Sequence, residues 1–277
     1  MRNEGNAMRA PSPTLVRRGL LVGLIALWEI LPRLQLVPEL FLPALSKVLV
    51  VLASDWQIFG GALLVTLYEV GLAIVIACGL GITVGALVGG VASLRSLLLP
   101  VFSSLYAIPI VILYPLFTAW LGIGPQSKIV FAGLYGFFPV MLSTAAGVRV
   151  IDPQFLLAAR SMGATLTQQV TRVIIPASLP TVFAGLRLGG ALAIIGVVVA
   201  EMLTSSAGIG YLVTLNRTIL DSPRVYAAIL AILLLSILYD VASRTLERRM
   251  VVWQSTGRQA TPAARPVATA APQATAA

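Results

Sequence analysis

The 277 residues include no histidine and a single cysteine, Cys78. A lone thiol forms no intrachain disulfide, and without imidazole the usual Cys/His metal sites are excluded. Charge is equally scarce. Only 10% of residues are Asp, Glu, Lys or Arg, against roughly 25% in a soluble domain, which excludes a solvated globule. Ten acidic residues face nineteen basic ones, for a net charge of +9. The basic residues are spread thinly among apolar runs, so there is no basic patch of the kind that binds nucleic acid. No G-x-x-x-x-G-K-[ST] loop is present to hold ATP phosphates. No internal repeat is evident either, which removes one common signature of secondary carriers. With no histidine and no clustered carboxylates, the chain is read as having no catalytic residue and no metal.

What the sequence has in abundance is apolar length: 58% of residues are hydrophobic and the mean hydropathy is +0.96. A helix needs about 20 apolar residues to cross the hydrocarbon core. Six stretches qualify, near Val16–Leu31, Gly61–Val91, Pro100–Leu121, Ile129–Val148, Thr181–Ala200 and Val225–Ala242. The expected fold is therefore an all-α integral membrane protein with six transmembrane helices. The first stretch follows Arg17 and Arg18 but precedes no small-x-small cleavage pattern, so it is read as a retained anchor rather than a cleaved signal. With six spans both termini share one side. Arg33, Lys47, Lys128, Arg217 and Arg224 fall on one face and the other fourteen of the nineteen basic residues on the opposite one. The positive-inside rule makes that second face cytoplasmic, with both termini there.

The expected organisation is a cytoplasmic segment over 1–15, a membrane domain over 16–253 and an Ala/Pro-rich disordered tail over 254–277. Two long external connections follow. The first, about residues 32–60, carries three prolines and Trp56 and reads as irregular with an interfacial piece. The second, about 201–224, places a Gly-rich turn before a short apolar stretch suited to a surface or partly re-entrant helix. In the second span Gly81, Gly85 and Gly89 recur every four residues, a stripe that lets a neighbouring backbone approach closely.

The most informative segment is the cytoplasmic loop at about 149–180, VRVIDPQFLLAARSMGATLTQQVTRVIIPASL. Asp152 and Pro153 supply an N-cap and a favoured first helical residue. Gly163 supplies a C-terminal stop. A second helix starts at Thr165 or Thr167 and runs until Pro176 breaks it. Small residues beside a capped turn suit a helix that seats in a groove of another protein; a loop simply lying on the membrane surface is the alternative.

This segment resembles the EAA loop of permease subunits of bacterial ABC importers, whose pattern is Glu-Ala-Ala, three residues, Gly, nine residues, Ile-x-Leu-Pro. Here Leu157-Ala158-Ala159, Gly163 and Val173-Ile174-Ile175-Pro176 keep the spacing, with Leu157 replacing Glu. VPELFLPALSKVL, YAIPIVILYPLFTAWLGIGPQSKIVFAGLYGFFP and AEMLTSSAGIGYL are similar to other regions of the nitrate/sulfonate/taurine/thiamine-precursor branch, so the resemblance runs from about Trp28 to Arg249. It implies a type I ABC importer permease fold in a bacterial inner membrane. It also implies two permease subunits, here read as a homodimer, two cytoplasmic ATPase subunits that use ATP and Mg, and an external solute-binding protein. The ATPase-coupling residues would be Leu157, Ala158, Ala159, Gly163, Val173, Ile175 and Pro176. No cofactor is expected in the chain itself.

For the solute, Glu69 within TLYEVGLA is the ionisable residue of interest, because charge inside a membrane is costly and often functional. The resemblance places Arg there in many sulfonate- and nitrate-type members. A pathway carboxylate would disfavour an anion, which tilts the expectation toward a heterocyclic nutrient of riboflavin or thiamine-pyrimidine type; a sulfonate, taurine or nitrate anion is the alternative. Glu69 near the external interface, paired with a basic residue or water, is the other reading of the same position. Tyr106, Tyr114, Phe117, Trp120, Tyr135, Phe137 and Phe138 are candidates for a pathway lining or for helix packing, and Pro109, Pro115 and Pro139 for bends within spans. An ion-coupled secondary transporter is the rival class, and it would use paired intramembrane charges. Glu29, Glu69 and Asp240 read as isolated.

Overall fold

In the computed structural model, which describes residues 13–250, every regular element among the described residues is helical. The expected tail over 254–277 lies outside the described residues, as do residues 1–12 of the N-terminal segment. Helix α1 (Pro13–Arg33) is followed by α2 (Leu45–Ser54) and the 35-residue α3 (Trp56–Gly90). At 1.5 Å per residue, α3 is about 52 Å long, well beyond the ~30 Å hydrocarbon core. It begins five residues before the sequence-based estimate, taking the end of the first long connection into the helix.

The third stretch departs most from expectation. It forms α4 (Ala92–Tyr106) and, after a 3₁₀ turn over Ile110–Leu113, α5 (Tyr114–Leu121), with the two limbs bent by 82°. The break falls at Pro109, which has no N–H to offer a helix and forces the preceding residue out of helical geometry. Pro115 opens α5 within its first turn, where a missing N–H costs nothing. Pro139 instead lies inside the uninterrupted α6 (Pro125–Arg149).

A hairpin of α7 (Pro153–Ser161) and α8 (Leu166–Gln169) leads into α9 (Ile175–Leu203). Pro176 was expected to end this helix and does not. A π-helical turn over Val170–Ile174 precedes it, with the Ile175 N–H reaching back five residues to the Val170 carbonyl. That wider turn relaxes the ladder where proline would otherwise collide with it, and Leu166–Leu203 runs as one helix of 38 residues. Short α10 (Ile209–Thr218) and long α11 (Ser222–Met250) complete the chain.

By length and apolarity α3, α6, the 166–203 helix and α11 can each cross a bilayer, and the bent α4–α5 pair has the geometry of either a fifth, broken span or a re-entrant loop. Helix α1 covers the first candidate stretch. It sits at the periphery, held to the start of α2 by Trp28 Nε1–H donating to the Pro43 carbonyl (3.1 Å) and by Glu29 accepting from the Ser46 amide (3.0 Å) and hydroxyl (2.8 Å).

The centre of the bundle is α6, packed between α3 and α9. Val70 and Ala73 of α3, Ala132 of α6 and Ala193, Ile194 and Val197 of α9 meet in one buried cluster. The approach is close because small residues line it. A Cβ on Gly85 would lie 2.5 Å from the Met141 carbonyl oxygen and 2.7 Å from Thr144 Cβ. Gly81 faces Val140 and Gly89 faces Ala145 in the same way. The aromatic residues pack the broken span onto α6: Tyr114 and Phe131 centroids are 5.0 Å apart, Tyr106 and Phe138 5.9 Å, Phe117 and Phe131 6.0 Å.

Gly85→Ala should therefore cost about 1–3 kcal/mol, the usual penalty for overpacking against atoms that cannot yield. Gly79→Ala, whose Cβ meets nothing within 4 Å, should be neutral or slightly stabilising. Thermal unfolding of the two variants in detergent checks the contrast.

Candidate functional sites: a capped hairpin and a buried charge cluster

The hairpin is built almost entirely from local hydrogen bonds. The Asp152 carboxylate accepts from the Gln154 N–H at 2.9 Å, capping α7. Gly163 then turns the chain with φ +75°, a region open to glycine but strained for other residues. Its N–H donates to the Arg160 carbonyl at 2.9 Å and the next N–H, of Ala164, to the Ala159 carbonyl at 3.0 Å, the paired bonds of a Schellman ending. Thr165, not Thr167, starts the second helix. Its hydroxyl accepts from Gln168 N–H (3.3 Å) while the Gln168 side chain accepts from Thr165 N–H (2.9 Å), a full capping box. Across the turn, Arg160 Nε donates to the buried Gln169 side chain at 3.3 Å, and Gln169 Nε2 in turn donates to the Ala164 carbonyl at 2.9 Å.

Of the seven residues singled out from sequence, Leu157, Ala158 and Gly163 lie exposed on this hairpin. Ala159 is buried at its centre. Val173, Ile175 and Pro176 sit further on, along the helix that enters the bundle; Ile175 is exposed and the other two half-buried. The tip also exposes Phe155 (62%), Met162 (82%) and Leu166 (76%) beside Leu157 (66%). Sequence reasoning passed over those three. The signal was available, since apolar residues on a doubly capped, otherwise polar hairpin have no interior of their own to enter.

At the opposite end of the bundle the structure gathers charges that the sequence reading had kept apart. Glu69 on α3 is fully buried and forms an ion pair with Lys128, in the first turn of α6, itself 3% exposed. Lys128 Nζ also donates to Ser205 Oγ at 3.0 Å. Glu201, two residues from the end of α9 and 1% exposed, accepts from the Thr66 hydroxyl at 2.7 Å and from the Gly210 N–H at 2.7 Å. Thr66 accepts in turn from the Ile209 N–H at 2.9 Å. Glu201 thus places a carboxylate on the first turn of α10, where the free N–H groups and the helix dipole favour negative charge.

The Gly-Ile-Gly turn follows from this contact. Gly208 has φ +100°, and a side chain there would strike the Glu201 carboxylate; a Cβ on Gly210 would lie 2.7 Å from Glu201 Cβ. Four elements therefore meet through side chains: α3, α6, α9 and the 205–210 turn with α10.

The isolation expected for Glu29, Glu69 and Asp240 is overturned. Glu29 pairs with Arg33 and Asp240 with Arg244, each one helical turn away, and Glu69 pairs across helices with Lys128. The i, i+4 spacings were readable in the sequence, whereas the Glu69–Lys128 pair needs the parallel packing of α3 on α6. Glu69 is buried and its charge is balanced by Lys128, so the expected bias against anions, which assumed an unpaired carboxylate, loses its basis.

Residues 77–252 match the family described as the binding-protein-dependent transport system inner membrane component. The chain belongs to that family. It is an inner-membrane permease of the ABC importer type. It is 33% identical to a putative aliphatic sulfonates transport permease of Bacillus subtilis, over 84% of this chain and 85% of that one. To the taurine transport permease of Escherichia coli it is 32% identical, over 85% and 88% of the two chains. To a formylaminopyrimidine transport permease of Halalkalibacterium halodurans it is 30% identical, over 83% and 92%. A chain of the MetNI methionine ABC transporter, solved in inward-facing form, superposes with a TM-score of 0.62 at 20% identity, covering 70% of this permease and 96% of that chain; this likeness shows the fold.

Removing one member of a buried ion pair leaves the other charge bare, at about 3–5 kcal/mol. Lys128→Met should therefore destabilise this permease more than the double variant Glu69→Gln with Lys128→Met, which removes both charges. A double-mutant cycle on detergent-solubilised protein measures the difference, and equal losses would remove the ion pair from the account.

Proposed function

We propose that this permease is the membrane-spanning subunit of an ATP-driven importer for a small nutrient. In this reading α1 is the sixth span and both termini are cytoplasmic, in line with the distribution of basic residues. The hairpin over 153–169 then lies on the cytoplasmic face and docks into an ATPase subunit, which supplies ATP and Mg chemistry that this chain has no motif to perform. A second permease copy completes the pathway, and an external solute-binding protein delivers the solute. The observation that carries the reading is the hairpin itself. It is locally capped, it stands clear of the bundle, and it exposes four large apolar side chains around a positive-φ glycine.

The mechanism that fits is a population shift. ATP-driven closure of the partner moves the docked hairpins, and the spans re-equilibrate between inward-open and outward-open packings. Because the helix entering the bundle after the hairpin is continuous, displacement at the hairpin is displacement of a span.

The solute is a small organic nutrient. Relatives are named for aliphatic sulfonates, taurine, formylaminopyrimidine and riboflavin. The preference for a heterocycle rested on a free Glu69 carboxylate, so with Glu69 neutralised by Lys128 the sulfonate and heterocyclic classes stand level. Titration of the cognate binding protein with taurine, an alkanesulfonate, riboflavin and formylaminopyrimidine separates them.

Gly163→Val places a β-branched residue at φ +75°, a conformation that costs most residues roughly 1–2 kcal/mol. The expected outcome is an inserted, folded permease whose hairpin is misshapen, with ATPase recovery in a gentle detergent pull-down and ATP-dependent uptake both sharply reduced. Normal uptake by the inserted variant would remove the hairpin from the coupling role.

A further inference from the structure

We infer that Glu201, with Lys128 and Glu69, forms a strut that delivers movement of the hairpin to the outer end of the permease, making these three positioning residues for the outer gate. The inference rests on the docking and orientation proposed above and assigns a role to residues outside the hairpin.

Three observations carry it. First, Leu166–Leu203 is a single helix, about 57 Å long at 1.5 Å per residue. One end receives the hairpin and the other carries Glu201. The helix is therefore a rod with the proposed docking site at one tip and the charge cluster at the other. Second, Glu201 joins that rod directly to the first turn of α10, through Gly210 N–H at 2.7 Å, and to α3, through Thr66 at 2.7 Å. Lys128 ties α6 to α3 through Glu69 and to the turn before α10 through Ser205. Third, α10 is held to α9 a second time by the Thr214 hydroxyl, which donates to the Met202 carbonyl at 3.2 Å, and its other seat is apolar and lies on different elements. Ile209, Leu212 and Val213 pack with Val48, Phe59 and Ala227 of α2, α3 and α11.

Apolar contacts are non-directional and permit sliding, whereas a hydrogen-bonded carboxylate fixes both position and orientation. The two attachments of α10 therefore differ in kind. Its seat on α2, α3 and α11 keeps it at the outer end, and its polar links to Glu201 and to the Met202 carbonyl make it follow α9. Shear among α3, α6 and α9 at this end breaks at least one of the cluster's bonds, and in a medium of low dielectric a broken bond is costly. The cluster consequently keeps the three spans and α10 moving as one body.

The test uses the assembled complex, reconstituted with its ATPase and binding protein in lipid. Glu201→Gln keeps the shape of the side chain and removes its charge. The result expected is normal recovery of the ATPase and normal ATP hydrolysis, with solute moved per ATP falling at least about tenfold, the scale of one charge-assisted hydrogen bond. A second readout follows the movement itself. Spin labels at Gln126→Cys on α6 and Thr218→Cys on α10, both exposed, in a Cys78→Ser background, should report one narrow distance that ATP leaves unchanged, because α6 and α10 move as one body. In Glu201→Gln the distribution should broaden and become ATP-dependent, as α10 moves independently of α6. A purely structural role would lower thermal stability without separating hydrolysis from transport.

Transport per ATP and label distances both unchanged in Glu201→Gln would overturn the strut. If that variant fails to insert, Ser205→Ala removes the hydroxyl that joins Lys128 to the turn at Ala207; a partial loss of transport per ATP supports the inference and unaltered coupling overturns it. Failure of the docking reading would look different, since the unsubstituted permease would then recover no ATPase at all. The label distances of the permease alone, compared with and without Glu201→Gln, would still decide whether the cluster fixes α10.

Discussion

Close backbone approach among α3, α6 and α9 is the constraint on which this fold depends. Within lipid, one apolar helix face gains little by leaving hydrocarbon for another, so association relies on dense van der Waals contact. The chain meets that demand with small residues on the facing surfaces. Gly136 of α6 shows how little room remains, since a Cβ there would sit 2.6 Å from the Gly189 carbonyl oxygen of α9 and 3.0 Å from Ala77 Cβ of α3. Several bulky side chains of α3, among them Leu64, Val75 and Leu80, are turned to the outward face instead. With apolar interlocking so shallow in the middle of the bundle, orientation at its end falls to polar groups, and that is where Glu69, Lys128 and Glu201 are placed.

Features governed by short-range chemistry were legible in the sequence. The cap at Asp152, the positive-φ stop at Gly163 and the short helix after the Gly-rich turn at 208–210 all follow from residue types a few positions apart. Features depending on which helices become neighbours were not. Lys128 looked like a loop residue because it falls just before the apolar stretch starting at Ile129, yet it is sealed against Glu69, 59 residues earlier. Glu201 looked like the first residue of an external loop, and its partners are Thr66 and Gly210. One signal for it existed: an acidic residue closes a long uncharged run and is followed within nine residues by two glycines, the arrangement needed to bring a carboxylate onto the start of a new helix.

The prolines took different courses for a single reason: the span bends at Pro109 as expected, whereas Pro176 does not end its helix. The effect of a missing N–H depends on whether neighbouring backbone can rearrange. At Pro109 the chain gives way and the span breaks. Ahead of Pro176 the π turn absorbs the defect, and the helix continues through Pro180 as well. Sequence alone identifies both prolines as stress points and does not distinguish the two responses, because the choice lies with the packing around them.

The two ends of the long 166–203 helix are then held by opposite kinds of bond. The hairpin before it is closed by contacts between residues no more than about nine positions apart, from the Asp152 cap to the Arg160–Gln169 bond, so it keeps its shape when displaced as a unit. The far end is held by partners 135 residues away in sequence, so it cannot move without moving other elements. A self-supporting handle at one tip and a shared fastening at the other is the arrangement a lever requires, because force applied to the handle is neither absorbed by local unfolding nor lost to independent motion of one span. In the proposed mechanism continuity through Pro176 is therefore required: a break there, like the one at Pro109, would leave the handle intact and the lever disconnected.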